Sequence, residues 1–217
     1  MKPLDFNIYL ITDRRLFNTL EALYIAIEEA LRTGIKAIQL REKDLSTREL
    51  LDIAYKMREL TSKYNAMLFV NDRVDIALAV NADGVHLTQS SMPTYAVRKI
   101  LKDNSSRKNG AKTSLVGIST HNINEAKDAE KEGADFITFG PVYHTPSKIR
   151  YGEPLGIERL RDVCREVSIP VFGIGGIKPD KVKDVLNSGA YGIALISGIL
   201  GEKDIKSAVK WYLEKFV

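Results

Sequence analysis

Residues 70–93, VNDRVDIALAVNADGVHLTQSSMP, hold one complete structural unit of the chain. Val70 closes an apolar run, and Asn71-Asp72 follow it. A short helical stretch then leads to the turn Asn81-Ala82-Asp83-Gly84. Val85-His86-Leu87 makes a second buried run, which ends in the polar stretch Thr88-Gln89-Ser90-Ser91. Two apolar runs joined through a helix read as parallel strands covered on both faces. An acid directly after the first run and serines after the second raise the question of a metal or phosphate site at the strand ends.

The same punctuation recurs along the chain as TGIKAIQL (33–40), EGADFITFG (132–140) and SGAYGIAL (188–195). Strands are expected at Ile8–Ile11, Ala37–Leu40, Met67–Val70, Gly84–Leu87, Leu115–Ile118, Phe136–Phe139, Val171–Phe172 and Gly192–Ile196. Helix starts are marked by the capping patterns Ser46-Thr47-Arg48-Glu49 and Asn122-Ile123-Asn124-Glu125, and by Pro179. Gly34, Gly133 and Gly189 stand where helices stop. The count is about eight βα units, which closes a single (β/α)₈ TIM barrel of class α/β spanning residues 1–217. A doubly wound open sheet would place glycines in its first turn. The turn here is Thr12-Asp13-Arg14-Arg15, with none.

Composition fits this reading. The 217 residues are 44% hydrophobic, enough for one sizeable core, and the net charge of +4 is spread among nearly as many acids. No basic block with interleaved aromatics speaks for nucleic acid. No apolar run approaches a membrane span or a signal peptide. Cys164 is the sole cysteine, so a reducing, cytoplasmic setting is expected. A homo-oligomer is compatible with the sequence, which fixes no oligomeric state.

Barrel chemistry sits at the carboxyl ends of strands. Gln39, Arg41 and Lys43 alternate through QLREKD, so period 2 sets them on one side. Asn71 and Asp72 follow the third strand, and His86, Gln89 and Ser91 mark the fourth. Ser119 and His121 follow the fifth, and Thr145-Pro146-Ser147-Lys148 the sixth. The glycine turn Gly173-Ile174-Gly175-Gly176 after the seventh strand, beside a short helical start at Ser197-Gly198 after the eighth, reads as a phosphate cradle of backbone N–H groups. Arg41 and Lys43 beside Asn71 and Asp72 read as a diphosphate clamp in which Asp holds Mg²⁺. Residues 141–156, PVYHTPSKIRYGEPLG, read as a functional loop over the mouth, and Lys102–Thr113 as an exposed connector. His86, inside an apolar strand, reads as a core histidine supporting the site. His121 suits either an acid/base role or the helix cap.

With these pieces placed, the chain resembles the thiamin phosphate synthase family along nearly its full length. The likeness is carried by YLITD (9–13), QLREK (39–43), VNDRVDIALAVNADGVHL (70–87), GISTH (117–121), GPVYHTPSK (140–148), PLG (154–156), GIGGI (173–177) and ALISGI (194–199). It implies a (β/α)₈ barrel that joins hydroxymethylpyrimidine diphosphate to thiazole phosphate with Mg²⁺. It further implies that the QLREK segment (Gln39, Leu40, Arg41, Glu42, Lys43) and Asn71 bind the pyrimidine diphosphate, with Ser119 and Lys148 near it. Thr145, Pro146, Ser147, Gly176, Ile196 and Ser197 would hold the thiazole phosphate. Arg41, Lys43, Ser119, His121 and Lys148 would carry the chemistry. Asp72 matches one of two magnesium aspartates, and Ser91 stands where the family has the second. That departure brings in a sister activity of the family, metal-free thiazole tautomerisation with His121 as acid/base. A catalytically silent phosphate-binding paralogue is the third reading.

Overall fold

The helix–turn–strand repeat closes on itself. A computed structural model describes residues 4–107, 114–145 and 153–216. Its parallel strands are β1 (Ile8–Ile11), β2 (Ala37–Leu40), β3 (Met67–Asn71), β4 (Gly84–Leu87), β5 (Leu115–Thr120), β6 (Phe136–Phe139), β7 (Val171–Ile174) and β8 (Gly192–Leu195). Each pairs with its sequence neighbours, and β1 pairs with β8 to complete the barrel. The expected spans hold with small shifts at the mouth. β3, β5 and β7 run one or two residues further because Asn71↔His86, Ser119↔Thr138 and Gly173↔Ile193 still pair. β8 stops one residue early, as Ile196 turns out of the strand at φ −120°, ψ −92°.

Around the strands lie α1 (Leu20–Thr33), α2 (Thr47–Lys63), α3 (Val74–Ala79), α4 (Thr94–Arg107), α5 (Ile123–Lys131), α6 (Gly156–Glu166), α7 (Val182–Asn187), α8 (Ser197–Leu200) and α9 (Ile205–Leu213). Ser46 caps α2 in a full capping box with Glu49. Asn122 caps α5 through the Glu125 N–H, but the Glu125 carboxylate returns to the His121 N–H, one residue earlier than a capping box requires. Pro179 opens a single 3₁₀ turn ahead of α7. The expected connector at Lys102–Thr113 is corrected in its first half. There α4 continues through Arg107, propagated from the buried stem of Val97 and Leu101. Residues 108–113 lie outside the described residues. No helix among the described residues is long and apolar enough to cross a membrane.

Alternation along each strand separates two cores. Ile8, Leu10, Ile38, Leu40, Leu68, Val70, Val85 and Leu87 face the helices. Tyr9, Ala37, Phe69, Phe136, Phe172 and Ala194 fill the barrel. Phe6, just before β1, closes the amino-terminal end, stacked on Phe172 at 5.3 Å and edge-on to Phe69 and Phe136. Two matching clamps tie helices to that end. Asp83 accepts the Leu68 N–H at 2.9 Å and Arg58 Nη1 at 2.7 Å, while Arg58 also donates to the Ala66 carbonyl. Two units later Asp135 accepts the Val116 N–H at 2.7 Å and pairs with Arg98, which donates to the Gly133 and Ser114 carbonyls. The weak sequence repeat is therefore also a repeat of interactions. It leaves the opposite, carboxyl-terminal end free for polar groups.

Candidate active site

The inner row nearest the mouth changes from apolar to polar. Gln39, His86 and Thr138 are almost fully buried there, and Ser119 is half-buried. Gln39 Nε2 donates to the Tyr9 hydroxyl at 3.1 Å, which lies 3.4 Å from His86 Nδ1. On its other side His86 Nε2 lies 3.0 Å from Ser119 Oγ, and Thr138 Oγ1 donates to the same Ser119 oxygen at 3.3 Å. Gly117 makes room for this arrangement, because a Cβ there would stand 2.7 Å from His86 Nδ1 and 2.4 Å from the Phe136 ring. Burial, with Arg41 adding a smaller repulsion, pushes His86 down to about 3. Burial likewise raises the Tyr9 hydroxyl well above its ordinary range, so both stay neutral. His86 thus has the supporting place expected of it. Tyr9, within YLITD, and Thr138, within the sixth strand, were not among the expected site residues, although both share the period-2 inward face with Gln39, His86 and Ser119.

Beyond the strand ends, charge gathers. Lys43 is held below its ordinary value by partial burial and by Arg41, an effect that Asp72 opposes. Arg41, Lys43 and Asp72 therefore share one electrostatic neighbourhood. The Arg41 N–H donates to the buried Thr12 hydroxyl at 3.0 Å, which fixes the backbone of this segment. Alternation sends Glu42 the other way. Its buried carboxylate takes the Arg14 N–H at 3.1 Å, and burial raises its pKa above the ordinary value. Leu40 points into the outer core, so it offers the mouth its backbone alone. Arg15 pairs with Asp13 at 2.8 Å and holds that carboxyl below its ordinary range.

Asp72 itself sits at φ +64°, with its N–H donated to the His86 carbonyl at 2.9 Å. A left-handed aspartate at a strand end is a costly conformation retained at functional sites. At the fourth strand end, Ser91 Oγ accepts the Thr88 N–H at 2.8 Å and lies 3.0 Å from the Thr88 hydroxyl. Gln89 ties that turn across to the Ser119 carbonyl at 2.9 Å. Among the described residues, no group of three or more His, Cys, Asp or Glu side chains is placed to hold a metal ion. His121 is exposed, with its N–H on Glu125 at 2.7 Å and Nδ1 3.2 Å from the same carboxylate.

On the far side of the mouth, Val142 and Tyr143 N–H groups donate to the Ile174 and Gly175 carbonyls at 2.8 and 3.0 Å. Gly176, at φ +65°, packs so closely that a Cβ would come within 2.4 Å of the His144 carbonyl. Thr145 stands just beyond this junction, half-buried. Ser197 opens α8 after Ile196, past the end of the neighbouring strand β8. Pro146, Ser147 and Lys148 lie outside the described residues.

These features define a parallel (β/α)₈ barrel whose mouth carries a charged strand-end cluster after β2 and β3, a glycine turn after β7 and a short helix start after β8. The chain belongs to the family described as thiamine monophosphate synthase, whose model matches residues 8–199. The thiamine-phosphate synthase of Clostridium novyi is 44% identical over 207 residues, covering 95% of this chain and 97% of that one. That of Caldanaerobacter subterraneus is 43% identical over 211 residues, covering 97% and 93%. The solved thiamine phosphate pyrophosphorylase from Pyrococcus furiosus superposes with a TM-score of 0.83 at 38% identity, covering 97% of this chain and 95% of that one.

Proposed function

We propose that the chain is a thiamine-phosphate synthase, a transferase of thiamin biosynthesis that condenses hydroxymethylpyrimidine diphosphate with thiazole phosphate. The observation that supports it is the electrostatic grouping of Arg41, Lys43 and Asp72 past the carboxyl ends of β2 and β3, at the same barrel end as the Gly176 turn after β7 and the Ser197 helix start after β8. Arg41 repels Lys43 while Asp72 attracts it, and a diphosphate lying between the two cations would offset that repulsion. The C–O bond to diphosphate breaks and its electron pair leaves with the diphosphate. The thiazole nitrogen then forms the C–N bond to the pyrimidine methylene, giving a thiazolium with no proton transfer. Arg41 and Lys43 stabilise the charge that develops on the departing oxygen, and Asn71 offers it an amide. The glycine turn at Gly176 and the start of α8 present backbone N–H groups to the thiazole phosphate.

A magnesium ion would be held by Asp72, water and the phosphate oxygens, and would neutralise the leaving diphosphate. The donor set suits a cation that arrives with the substrate, since no group of three or more ligating side chains gathers among the described residues and Ser91 is engaged in its own turn. The setting is read as cytoplasmic, where Cys164, its thiol pushed up to about 11 by burial, stays reduced.

The test incubates the purified chain with both substrates over a range of Mg²⁺ and measures thiamin phosphate. No product at any Mg²⁺ concentration sinks the proposal. Metal-independent loss of a non-aromatic thiazole tautomer in the same preparation would favour the tautomerase reading instead.

A further inference from the structure

The polar row beneath the mouth has a direction. A hydroxyl oxygen accepts two hydrogen bonds and donates one. The Tyr9 oxygen accepts from Gln39 Nε2, so its own hydrogen is free for His86 Nδ1, the remaining polar neighbour. A ring that accepts at Nδ1 carries its proton on Nε2 and donates from there to Ser119 Oγ at 3.0 Å. Thr138 gives the same oxygen its second hydrogen bond. Both acceptor positions of Ser119 are then filled from inside the barrel. Its hydrogen is left to point outward, away from the buried row, into the mouth.

We propose that Tyr9, His86 and Thr138 are positioning residues that set Ser119 as a hydrogen-bond donor toward the bound pyrimidine diphosphate. The inference rests on the proposed reading of the mouth as the pyrimidine diphosphate site. Its physical content is the order Gln39, Tyr9, His86, Ser119, ligand, in which each member donates to the next. Without the Tyr9 hydrogen, nothing favours one tautomer over the other. In the alternative tautomer Nε2 becomes an acceptor, and Ser119 Oγ at 3.0 Å is better placed to supply the hydrogen than Thr138 Oγ1 at 3.5 Å, so the Ser119 hydrogen is drawn back into the barrel. Ser119 would then meet the ligand as an acceptor, and an electron-rich ligand atom opposite it would be repelled rather than bound.

Nitrogen NMR on the full-length protein labelled at histidine reads the tautomer directly, with the His86 signals assigned by their loss in His86→Gln. A ring protonated at Nε2 in the wild type, and a mixture of tautomers in Tyr9→Phe, is the expected result. A ring protonated at Nδ1 in the wild type overturns the proposal, whatever the variants do. A kinetic cycle adds a readout that simple packing loss does not reproduce. Tyr9→Phe and Ser119→Ala should each lower kcat/KM for the pyrimidine diphosphate about tenfold, leaving KM for the thiazole phosphate in place. The double variant should be no worse than the weaker single. Additive losses mean that Tyr9 acts through packing, and sink the relay. If the wild type forms no thiamin phosphate, the reaction assignment fails by itself. The same cycle is then read from calorimetric binding of the pyrimidine diphosphate, where the same non-additivity supports the relay and additivity overturns it.

Discussion

The Ser91 hydroxyl accepts the Thr88 N–H at 2.8 Å, so the side chain standing where the family resemblance implies a second magnesium aspartate closes its own turn. An aspartate there could accept the same N–H with one oxygen and keep the other for a cation. Ser91→Asp is therefore expected to lower the Mg²⁺ concentration that half-saturates thiamin phosphate formation, with little change in melting temperature. An unchanged Mg²⁺ dependence would mean that Asp72 and the substrate's phosphates already satisfy the ion.

Asp72 carries the converse expectation. Its φ of +64° makes alanine a poor probe, because the strain of a left-handed alanine would mix with the loss of charge. Asparagine tolerates that backbone and removes only the carboxylate. Asp72→Asn should lower kcat/KM by at least about 10–100-fold, the range seen when even the outer-shell partners of metal ligands are removed. Added Mg²⁺ should recover part of the loss. A rate unchanged at every Mg²⁺ level would remove Asp72 from the site.

The strands were legible because each is a short apolar run bounded by a turn, a local signal. The places of Arg41, Lys43 and Asp72 were legible because each stands one to three residues past a strand end, and Asn71 because it closes β3. What escaped was set by distant pairing. Tyr9 meets His86 across 77 residues, and Tyr212 meets Ile177 across 35, so neither contact leaves a trace in local periodicity. Glu42 looked like part of the QLREK recognition segment, yet a partner in another loop, Arg14, draws its carboxylate aside. The helical continuation at Lys102–Arg107 was hidden by its Asn and Ser content, which favours turns in isolation but yields to a packed helix stem.

The Asp83 clamp carries the first stability prediction. Its carboxylate joins the Leu68 N–H to Arg58, and both charged side chains are about one-fifth exposed. Asp83→Ala leaves a strand N–H and a guanidinium short of an acceptor. The expected loss is about 2 kcal/mol, discounted for partial solvent screening. That corresponds to a fall in melting temperature of about 4–8 °C for a chain of this size. Calorimetry on Asp83→Ala and Asp135→Ala should give similar losses, since the two clamps repeat one arrangement. Near-wild-type melting in both would show that the clamps contribute little.

Stability should also depend on pH through His86. Its folded value of about 3 lies below the ordinary 6.5, so the unfolded chain takes up the proton first as pH falls. The contribution is fully present above about 6.5 and is lost below it, by up to ~1.4 kcal/mol per pH unit. Glu42, held above its ordinary value by burial, acts with the opposite sign at lower pH. Urea unfolding of wild type and His86→Gln between pH 7 and 5 isolates the histidine, because all other groups are common to both. The wild type should weaken more steeply, and parallel curves would refute the assignment.

Tyr212 supports the cradle from beneath. Its hydroxyl, on α9, donates to the Ile177 carbonyl at 2.9 Å, just past the glycine turn. The same oxygen would stand 2.6 Å from a Cβ at Gly198, inside α8. One buried side chain therefore braces both backbone segments assigned to the thiazole phosphate, although it lies beyond the residues matched by the family model. Tyr212→Phe keeps the ring and removes the donor, leaving the Ile177 carbonyl unpaired. A loosened cradle should raise KM for the thiazole phosphate about three- to tenfold, the range of one neutral hydrogen bond. KM for the pyrimidine diphosphate should stay in place, because its proposed ligands Arg41 and Lys43 follow β2 and not the β7 and β8 turns that Tyr212 touches. Equal rises for both substrates would point to general destabilisation. No rise for either would show that the turn holds its shape through Gly176 and its own backbone bonds, with Tyr212 serving only the core.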